Sequence, residues 1–143
     1  ELEYADEDGS RKRPIMIHRA ILGTFERFIG ILIEHYAGAF PLWLSPVQTV
    51  VANINDEQLG YASEVVAKLK TEGIRVEWYN QSETIGKKIR EAELQRVPYI
   101  VVIGPKEVQV GTVAIRQRGK GDIGQMPLDE LIKRISEEIK TKR

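Results

Sequence analysis

Apolar positions along residues 1–44 predict a small set of elements that cannot form a core of its own. A short strand is predicted at Leu2–Ala5, a second near Pro14–Ile17, and a helix from about Thr24 to Tyr36. The helix has apolar residues around most of its circumference, so it must pack against another part of a protein. Two strands and one helix bury too little surface alone, and we expect this piece to belong to a larger domain.

Residues 45–143 carry a different pattern, in which strands and helices alternate. Strands are predicted at Val47–Ile54, Ile74–Tyr79, Pro98–Ile103 and, as one or two strands, within Val108–Arg116; helices are predicted after Asn55, after Ser82 or Thr84, and from Pro127. The third strand is an uninterrupted apolar run, suited to the middle of a sheet. This order predicts an α/β domain with a small mixed sheet, parallel strands joined by crossover helices and an added antiparallel hairpin.

Two segments between these elements are predicted as turns. Residues 37–46 contain Gly38 and Pro41 and are typical of a linker, but their apolar side chains indicate that the linker packs on the domain. Gly104–Glu107 begins with glycine and proline and is predicted as a turn between two strands.

The composition limits which chemistry the chain can perform. With 143 residues and 42% hydrophobic positions, it can bury the core of one globular domain. The chain has no cysteine, which excludes disulfides, a thiolate nucleophile and cysteine metal ligands. Its longest apolar stretch ends at Glu34, far short of the roughly 20 residues that span a bilayer. The acidic first ten residues lack the basic start of a signal peptide, so we expect a cytoplasmic location and no membrane partner.

The net charge is zero but is unevenly distributed. Residues 1–86 carry 8 basic and 13 acidic side chains, whereas residues 87–120 carry 8 basic and 3 acidic ones. A basic segment of this kind fits a face that binds the phosphates of a nucleic acid. It also fits an ordinary solvated surface, and composition alone does not choose between the two.

Residues 14–30 hold the most specific signal, the run Pro-Ile-Met-Ile-His-Arg-Ala-Ile-Leu-Gly-Thr-Phe-Glu-Arg-Phe-Ile-Gly. Gly23 has no Cβ, so a ligand can approach the backbone closely before the helix begins. The turn into the helix can present amide groups and the positive end of the helix dipole to phosphate. Arg27, one turn later, is a permanently charged fork suited to phosphate.

These seventeen residues closely resemble motif 3 of the class II aminoacyl-tRNA synthetases, and their lead-in resembles the threonyl family in particular. The resemblance implies that Gly23, Thr24 and Arg27 bind ATP, with Arg27 as the catalytic residue on its phosphates. It also implies that His18 is one of three zinc ligands, the others being a cysteine and a histidine upstream of residue 1. Taken alone, a single histidine on a strand is more often structural than a metal ligand.

The resemblance extends to the rest of the chain, through residues 43–48, 85–91, 96–99, 104–108 and 113–116. It implies that Ser82, Arg96, Glu107 and Arg116 contact the anticodon loop of a tRNA, Glu107 and Arg116 near its second and third bases. Arginine can donate to guanine, and a carboxylate can accept from a base imino or amino group. Ser82 stands where the family usually has asparagine, so its contact would be a single hydrogen bond.

Two structural alternatives remain open for these candidates. Arg116 could pair with Glu107 across a hairpin, which is compatible with a role in recognition. Trp78 and Tyr79 could stack on RNA, although aromatic residues at the end of a strand more often belong to the core.

The resemblance thus predicts two parts, residues 1–44 from the end of a catalytic domain and residues 45–143 as an anticodon-binding domain. The parent enzyme would join threonine to its tRNA with Mg²⁺-ATP and zinc, and would be a homodimer that binds no DNA. The chain alone is expected to bind RNA weakly, to hold no cofactor and to be inactive. Alternatives are a stand-alone anticodon-like RNA-binding module without catalysis and a piece that mediates dimerisation.

Overall fold

The computed structural model describes residues 2–142, and the chain divides into two units between Leu32 and Ile33. The elements in chain order are β1 (Tyr4–Ala5), β2 (Arg11–Lys12), α1 (Phe25–Tyr36), β3 (Thr49–Asn53), a 3-10 turn (Asp56–Gln58), α2 (Leu59–Thr71), β4 (Val76–Tyr79), α3 (Ile85–Leu94), β5 (Tyr99–Ile103), α4 (Pro105–Val110), β6 (Thr112–Gln117), β7 (Gly121–Pro127) and α5 (Leu128–Thr141). The domain boundary predicted after residue 44 stays a prediction.

The first unit contains the hairpin β1–β2 and the start of α1. The hairpin pairs two residues on each strand, Tyr4 opposite Lys12 and Ala5 opposite Arg11. The strand predicted near Pro14–Ile17 is wrong, because this segment has no regular structure. Its apolar side chains are exposed, Ile15 to 90%. A strand needs a neighbour to pair with, and the described residues of this unit offer none to this segment.

Helix α1 forms where the apolar pattern predicts it. Thr24 caps its start, since its Oγ1 accepts a hydrogen bond from the backbone N–H of Arg27 at 3.3 Å. All twelve residues of α1 are at least partly exposed, although most are apolar. The expectation that this piece belongs to a larger domain stays a prediction.

The second unit is built on a five-stranded sheet in the order β4-β3-β5-β6-β7. Strand β3 runs parallel to both β4 and β5, whereas β6 is antiparallel to both β5 and β7. This arrangement confirms the predicted α/β class with a mixed sheet. The apolar run of β5 lies in the centre of the sheet, as its composition predicts.

Helices pack on both faces of this sheet. Helices α2 and α5 pack on one face, with Val51, Val101 and Ile115 in the core between them and the sheet. Helix α3 packs on the other face through Ala92, together with Val50, Ala52, Ile100 and Val97. These residues alternate along β3 and β5 with those that face α2 and α5, so each strand contributes to both cores.

The segment 37–46 is packed, as its apolar content predicts. Leu42 is buried in the same core as α2 and α5. Two guanidinium groups, those of Arg75 and Arg118, donate hydrogen bonds to main-chain carbonyls of this segment. The acceptors are the carbonyl oxygens of Ser45 and Trp43 for Arg75, both at 2.9 Å, and that of Phe40 for Arg118 at 2.6 Å. The segment is therefore an integral part of the second unit and not a free tether.

The predictions for residues 104–110, a turn followed by the beginning of a strand, are wrong. Gly104–Glu107 is not a turn between strands but the start of α4, which also takes in Val108–Val110. Pro105 is favoured in the first turn of a helix, and the carboxylate of Glu107 accepts a hydrogen bond from the backbone N–H of Gly104 at 2.8 Å. Strand β7 was not predicted, because its glycines and polar residues lack a strand pattern.

The remaining helices form as predicted. Gln58 accepts a hydrogen bond from the backbone N–H of Asn55 at 2.8 Å, although a 3-10 turn precedes α2. Thr84, rather than Ser82, caps α3, with its Oγ1 accepting from the backbone N–H of Lys87 at 3.4 Å. No helix among residues 2–142 is long and apolar enough to cross a membrane.

Lys88 and Tyr99 are buried inside the second unit, and their polar atoms have hydrogen-bond partners there. The Nζ of Lys88 donates to the carbonyl oxygen of Asn53 at 2.9 Å, and burial lowers the pKa of this lysine. The hydroxyl of Tyr99 donates to Oε1 of Glu138 at 2.7 Å. Burial first, and the Glu138 carboxylate second, raise the pKa of Tyr99 far above its usual value.

The raised pKa of Tyr99 predicts a loss of stability at high pH. Between the usual tyrosine pKa near 10 and the raised one, the folded state keeps a proton that the unfolded state has lost. The free energy of unfolding should therefore fall as pH rises above about 10, by up to ~1.4 kcal/mol per pH unit from this group. Urea unfolding between pH 8 and pH 11 measures this slope, and Tyr99→Phe should reduce it.

The variant should retain some slope, because burial also raises the pKa values of Tyr61 and Tyr79. An equal slope in the two proteins would contradict the assignment to Tyr99.

Candidate nucleic-acid interface

The four predicted RNA contacts all lie in the second unit and line surface depressions. Arg96 and Arg116 line the same pocket of about 180 Å³. Glu107 lines a second depression and Ser82 a third, of about 550 and 440 Å³ respectively. Ile54 lines both of these larger depressions, so they adjoin.

The sheet connects the first pocket to the second depression. On β6, Ala114 lines the Glu107 depression, and Arg116, two residues further, lines the 180 Å³ pocket. On β5, Val102 lines the Glu107 depression and Ile100 lines the 180 Å³ pocket. Residues two apart on a strand lie on one face, so the two depressions are neighbours on the sheet face that α3 covers only in part.

We call the 180 Å³ pocket the arginine pocket, since Arg96, Arg116 and Arg118 line it together with Glu93, Ile100 and Gly119. Three guanidinium groups and one carboxylate leave this pocket with a positive balance. The predicted basic segment therefore forms, in part, a concave surface suited to an electron-rich ligand.

Arg116 pairs with Glu93 of α3 and not with Glu107. Its Nη2 lies 3.4 Å from Oε1 of Glu93, and both side chains remain partly exposed. The Nε of Arg116 is buried without a hydrogen-bond partner among the described residues. Arg116 therefore has donor capacity that the folded chain does not use.

Arg118 is a pocket residue that the sequence reasoning missed. Its Nη1 donates to the carbonyl oxygen of Arg96 at 2.6 Å, and its Nη2 donates to that of Phe40. Burial, and to a lesser extent the charge of Arg96, lower the pKa of Arg118. Arg118 lies just after the end of β6, two residues beyond Arg116, and this spacing in the sequence was a signal that could have identified it.

Arg96 follows α3 in a left-handed backbone conformation, with φ +59°. The helix ends through hydrogen bonds from the N–H of Arg96 to the carbonyl of Glu93 and from the N–H of Val97 to that of Ala92. Glycine is the usual residue at such a helix end, because a Cβ is disfavoured at positive φ. An arginine there costs about 1–2 kcal/mol of backbone strain, which is common at functional sites.

Glu107 is buried and hydrogen-bonded within the fold, which the sequence does not predict. The residue is only 7% exposed. One carboxylate oxygen accepts from the N–H of Gly104, and the other accepts from Nε2 of Gln125 on β7. Glu107 thus joins the start of α4 to β7, and its contact with RNA stays a prediction.

Ser82 lies in the loop before α3 and is exposed, beside the buried Lys88. Both aromatic residues before this loop pack against the cores of the second unit. Tyr79 is buried in the core under α3, and Trp78 is partly buried with its Nε1 donating to Oδ1 of Asn53 at 3.3 Å. Their core interpretation is therefore the correct one.

The motif residues of the first unit are all exposed: His18, Gly23, Thr24 and Arg27. Gly23 has φ +72°, and no atom lies within 4 Å of the position of an added Cβ, so its surroundings are open. Within residues 2–142 no group of three His, Cys, Asp or Glu side chains could hold a metal ion. His18 alone does not fit a zinc site, and its role as a ligand stays a prediction, as do the ATP contacts.

Comparison with known proteins identifies a family that matches this chain. Residues 48–138 match the family described as "Anticodon binding domain". The chain is 52% identical over 143 residues to the threonine–tRNA ligase of Carboxydothermus hydrogenoformans, and 55% identical over 142 residues to that of Symbiobacterium thermophilum. These alignments cover 100% and 99% of this chain but 23% and 22% of the relatives. The chain therefore spans less than a quarter of the length of these curated relatives.

Two solved structures are similar to the chain. The RNA binding domain of threonyl-tRNA synthetase from Cryptosporidium parvum has a TM-score of 0.77 and 37% identity, over 96% of this chain and 35% of that one. Prolyl-tRNA synthetase from the same organism has a TM-score of 0.70 and 22% identity, over 97% of this chain and 30% of that one. The second likeness shows the fold alone.

The contacts of Glu107 predict a structural role that can be measured separately from RNA binding. Glu107→Ala removes the acceptor for Gly104 and for Gln125, and leaves two polar groups unpaired. We expect a loss of about 1–2 kcal/mol in the free energy of unfolding. Urea denaturation checks this, with the exposed neighbour Lys106→Ala as a control that should change stability little. Equal stability of the two variants would contradict the role of Glu107 in joining α4 to β7.

Proposed function

This chain belongs to the anticodon-binding domain family, and we propose that it is the carboxy-terminal part of a threonine–tRNA ligase. The proposal is supported by more than 50% identity to such ligases over the whole chain. The parent enzyme activates threonine with ATP and then transfers it to the terminal ribose of its tRNA. Its partners are threonine, ATP, the threonine tRNA and a second copy of itself, and its location is the cytoplasm.

Within this enzyme, the first unit contributes to the activation step. Arg27 binds the ATP phosphates, and Gly23 and Thr24 lie against the nucleotide; the open surroundings of Gly23 support this assignment. His18 would supply one imidazole ligand to a zinc ion in the parent enzyme, with the other ligands coming from other parts of that enzyme. Such a zinc ion would act as a Lewis acid that binds the threonine.

The second unit reads the anticodon loop, and the single observation that supports this role is the convergence of Arg96 and Arg116 in one pocket. Both arginines come from the basic segment, and they lie on different elements, one after α3 and the other on β6. Unstacked loop bases are the parts of an RNA that a protein can read most fully. Threonine codons begin with A and C, so the matching anticodons have guanine second and uracil third. Ser82 and Glu107 line the adjoining depressions and complete the proposed interface.

Charge reversal of Arg116 tests base reading. If Arg116 contacts a base, Arg116→Glu should abolish the preference of the chain for threonine anticodon stem-loops over loops with altered second and third bases, a loss of roughly ten-fold in discrimination. Fluorescence anisotropy with labelled stem-loops at two salt concentrations measures both affinity and its salt dependence. Arg90→Glu, an exposed arginine outside the arginine pocket, is the matched control and should weaken binding without changing the preference.

A different result would reassign Arg116. If Arg116→Glu weakens binding equally for all loops and changes only the salt dependence, this residue contacts phosphate and does not read a base.

We predict that the chain alone is inactive, because its two units supply only part of the groups that the reaction needs. It contains one candidate zinc ligand and one candidate ATP-binding arginine, and the other components of the reaction lie outside it. We expect threonine-dependent exchange between ATP and pyrophosphate to stay at background with the purified chain, while stem-loop binding is measurable. Exchange above that of a His18→Ala, Arg27→Ala double variant would contradict this prediction.

A further inference from the structure

We propose that Glu93 and Arg116 together read one keto base, guanine or uracil, of the bound RNA loop. This inference rests on the proposed function, since it names a specificity-determining residue for the reading of that loop. It assigns to Glu93, which neither the family resemblance nor the charge pattern singles out, a direct contact with the base.

Glu93 and Arg116 come from different elements but lie side by side. Glu93 lies near the end of α3 and Arg116 on β6, 23 residues apart in the chain, yet both line the arginine pocket. Their nearest polar atoms are 3.4 Å apart, and their side chains are 55% and 33% exposed. A hydrogen-bond donor and a hydrogen-bond acceptor therefore lie next to each other at the mouth of one pocket.

The hydrogen-bonding edge of a keto base matches this donor and acceptor. Guanine and uracil present a keto oxygen, which accepts, beside an imino N–H, which donates. Arg116 can donate to the keto oxygen while the Glu93 carboxylate accepts from the imino N–H. Adenine or cytosine held in this same orientation would present an amino donor to Arg116 and a ring nitrogen acceptor to Glu93, so the pair would meet two mismatched groups. The pair is thus complementary to keto bases and selects against amino bases.

Other polar groups nearby are less suited to this task. Each oxygen of Glu107 already accepts a hydrogen bond within the fold, and that residue is almost completely buried. Arg118 donates to two main-chain carbonyls, those of Phe40 and Arg96. Arg116, by contrast, has a side chain that is 33% exposed, and its Nη2 makes only a long contact of 3.4 Å with Glu93. The partly exposed guanidinium group and the exposed carboxylate are therefore the two that lie together.

The arginine pocket also has open space beside the pair. Its volume of about 180 Å³ is several times the roughly 30 Å³ that one water occupies in the liquid. Ile100 contributes an apolar surface, and Gly119 adds no side chain beyond the backbone. The ion pair itself is partly exposed and long, so a base can enter between its members without displacing a strong contact.

The experiment compares keto and amino bases at the two informative positions of the anticodon. Stem-loops carry guanine or adenine at the second position and, separately, uracil or cytosine at the third. The proteins are the wild-type chain, Glu93→Ala, Glu93→Gln and Glu91→Ala. Glu91 is an exposed carboxylate two residues away on α3 that does not line the arginine pocket, so its loss is the matched control for charge.

We expect the wild-type chain to prefer the keto base by roughly ten-fold at both positions. Glu93→Ala should reduce this preference to about three-fold or less at one position and leave the other unchanged, because a single pair reads a single base. Glu93→Gln keeps an oxygen acceptor and should restore part of the preference. Glu91→Ala should retain the full preference.

Two outcomes would overturn the inference in distinguishable ways. If the wild-type chain shows no preference at either position, the proposed reading of the anticodon fails, and the role of Glu93 fails with it. If the wild-type preference persists in Glu93→Ala, or if that variant binds every loop more tightly without losing discrimination, Glu93 only competes with RNA for Arg116, and the proposed function stands.

Discussion

The central position of β5 is the constraint on which the rest of the second unit depends. This strand is parallel to β3 on one side and antiparallel to β6 on the other. Parallel strands need a long crossover, so helices α2 and α3 accompany β3, β4 and β5 and pack on the two faces of the sheet. Antiparallel β6 and β7 need only a short turn, and no helix is added between them. The change of direction at β5 therefore leaves polar residues of β6 on a sheet face that α3 covers only in part.

The local periodicity of apolar residues was sufficient to predict the elements that form the two cores. The face of α2, the apolar run of β5 and the spacing in α5 each encode burial directly. Helix α4 was missed because Gly104 and Pro105 are typical both of a turn and of a helix start, and the six residues are too few for a clear period. Strand β7 was missed because it contains Gly121 and Gly124, and because pairing with β6, a tertiary property, forms it.

The candidate site could be predicted as a set of residues but not as an arrangement. Resemblance in the local runs pointed to Arg96, Glu107 and Arg116. In the arginine pocket the partners are distant in sequence, so no local pattern contains them: Arg116 pairs with a residue of α3, and Arg118 bonds to a carbonyl 78 positions earlier. The burial of Glu107 likewise follows from the closure of α4 on β7. Tertiary packing thus decides which charged groups are available to a ligand and which are used by the fold.

The strained backbone at Arg96 has a consequence for how this domain can vary. Relief of the positive φ by glycine would favour the folded state, so any selection for thermal tolerance alone would tend to replace this arginine. That replacement would also remove one of the three guanidinium groups of the arginine pocket. Variants obtained by screening for heat resistance are therefore expected to gain thermal stability and to lose this guanidinium group. The arginine at this position thus combines a strained backbone with a guanidinium group that lines the arginine pocket.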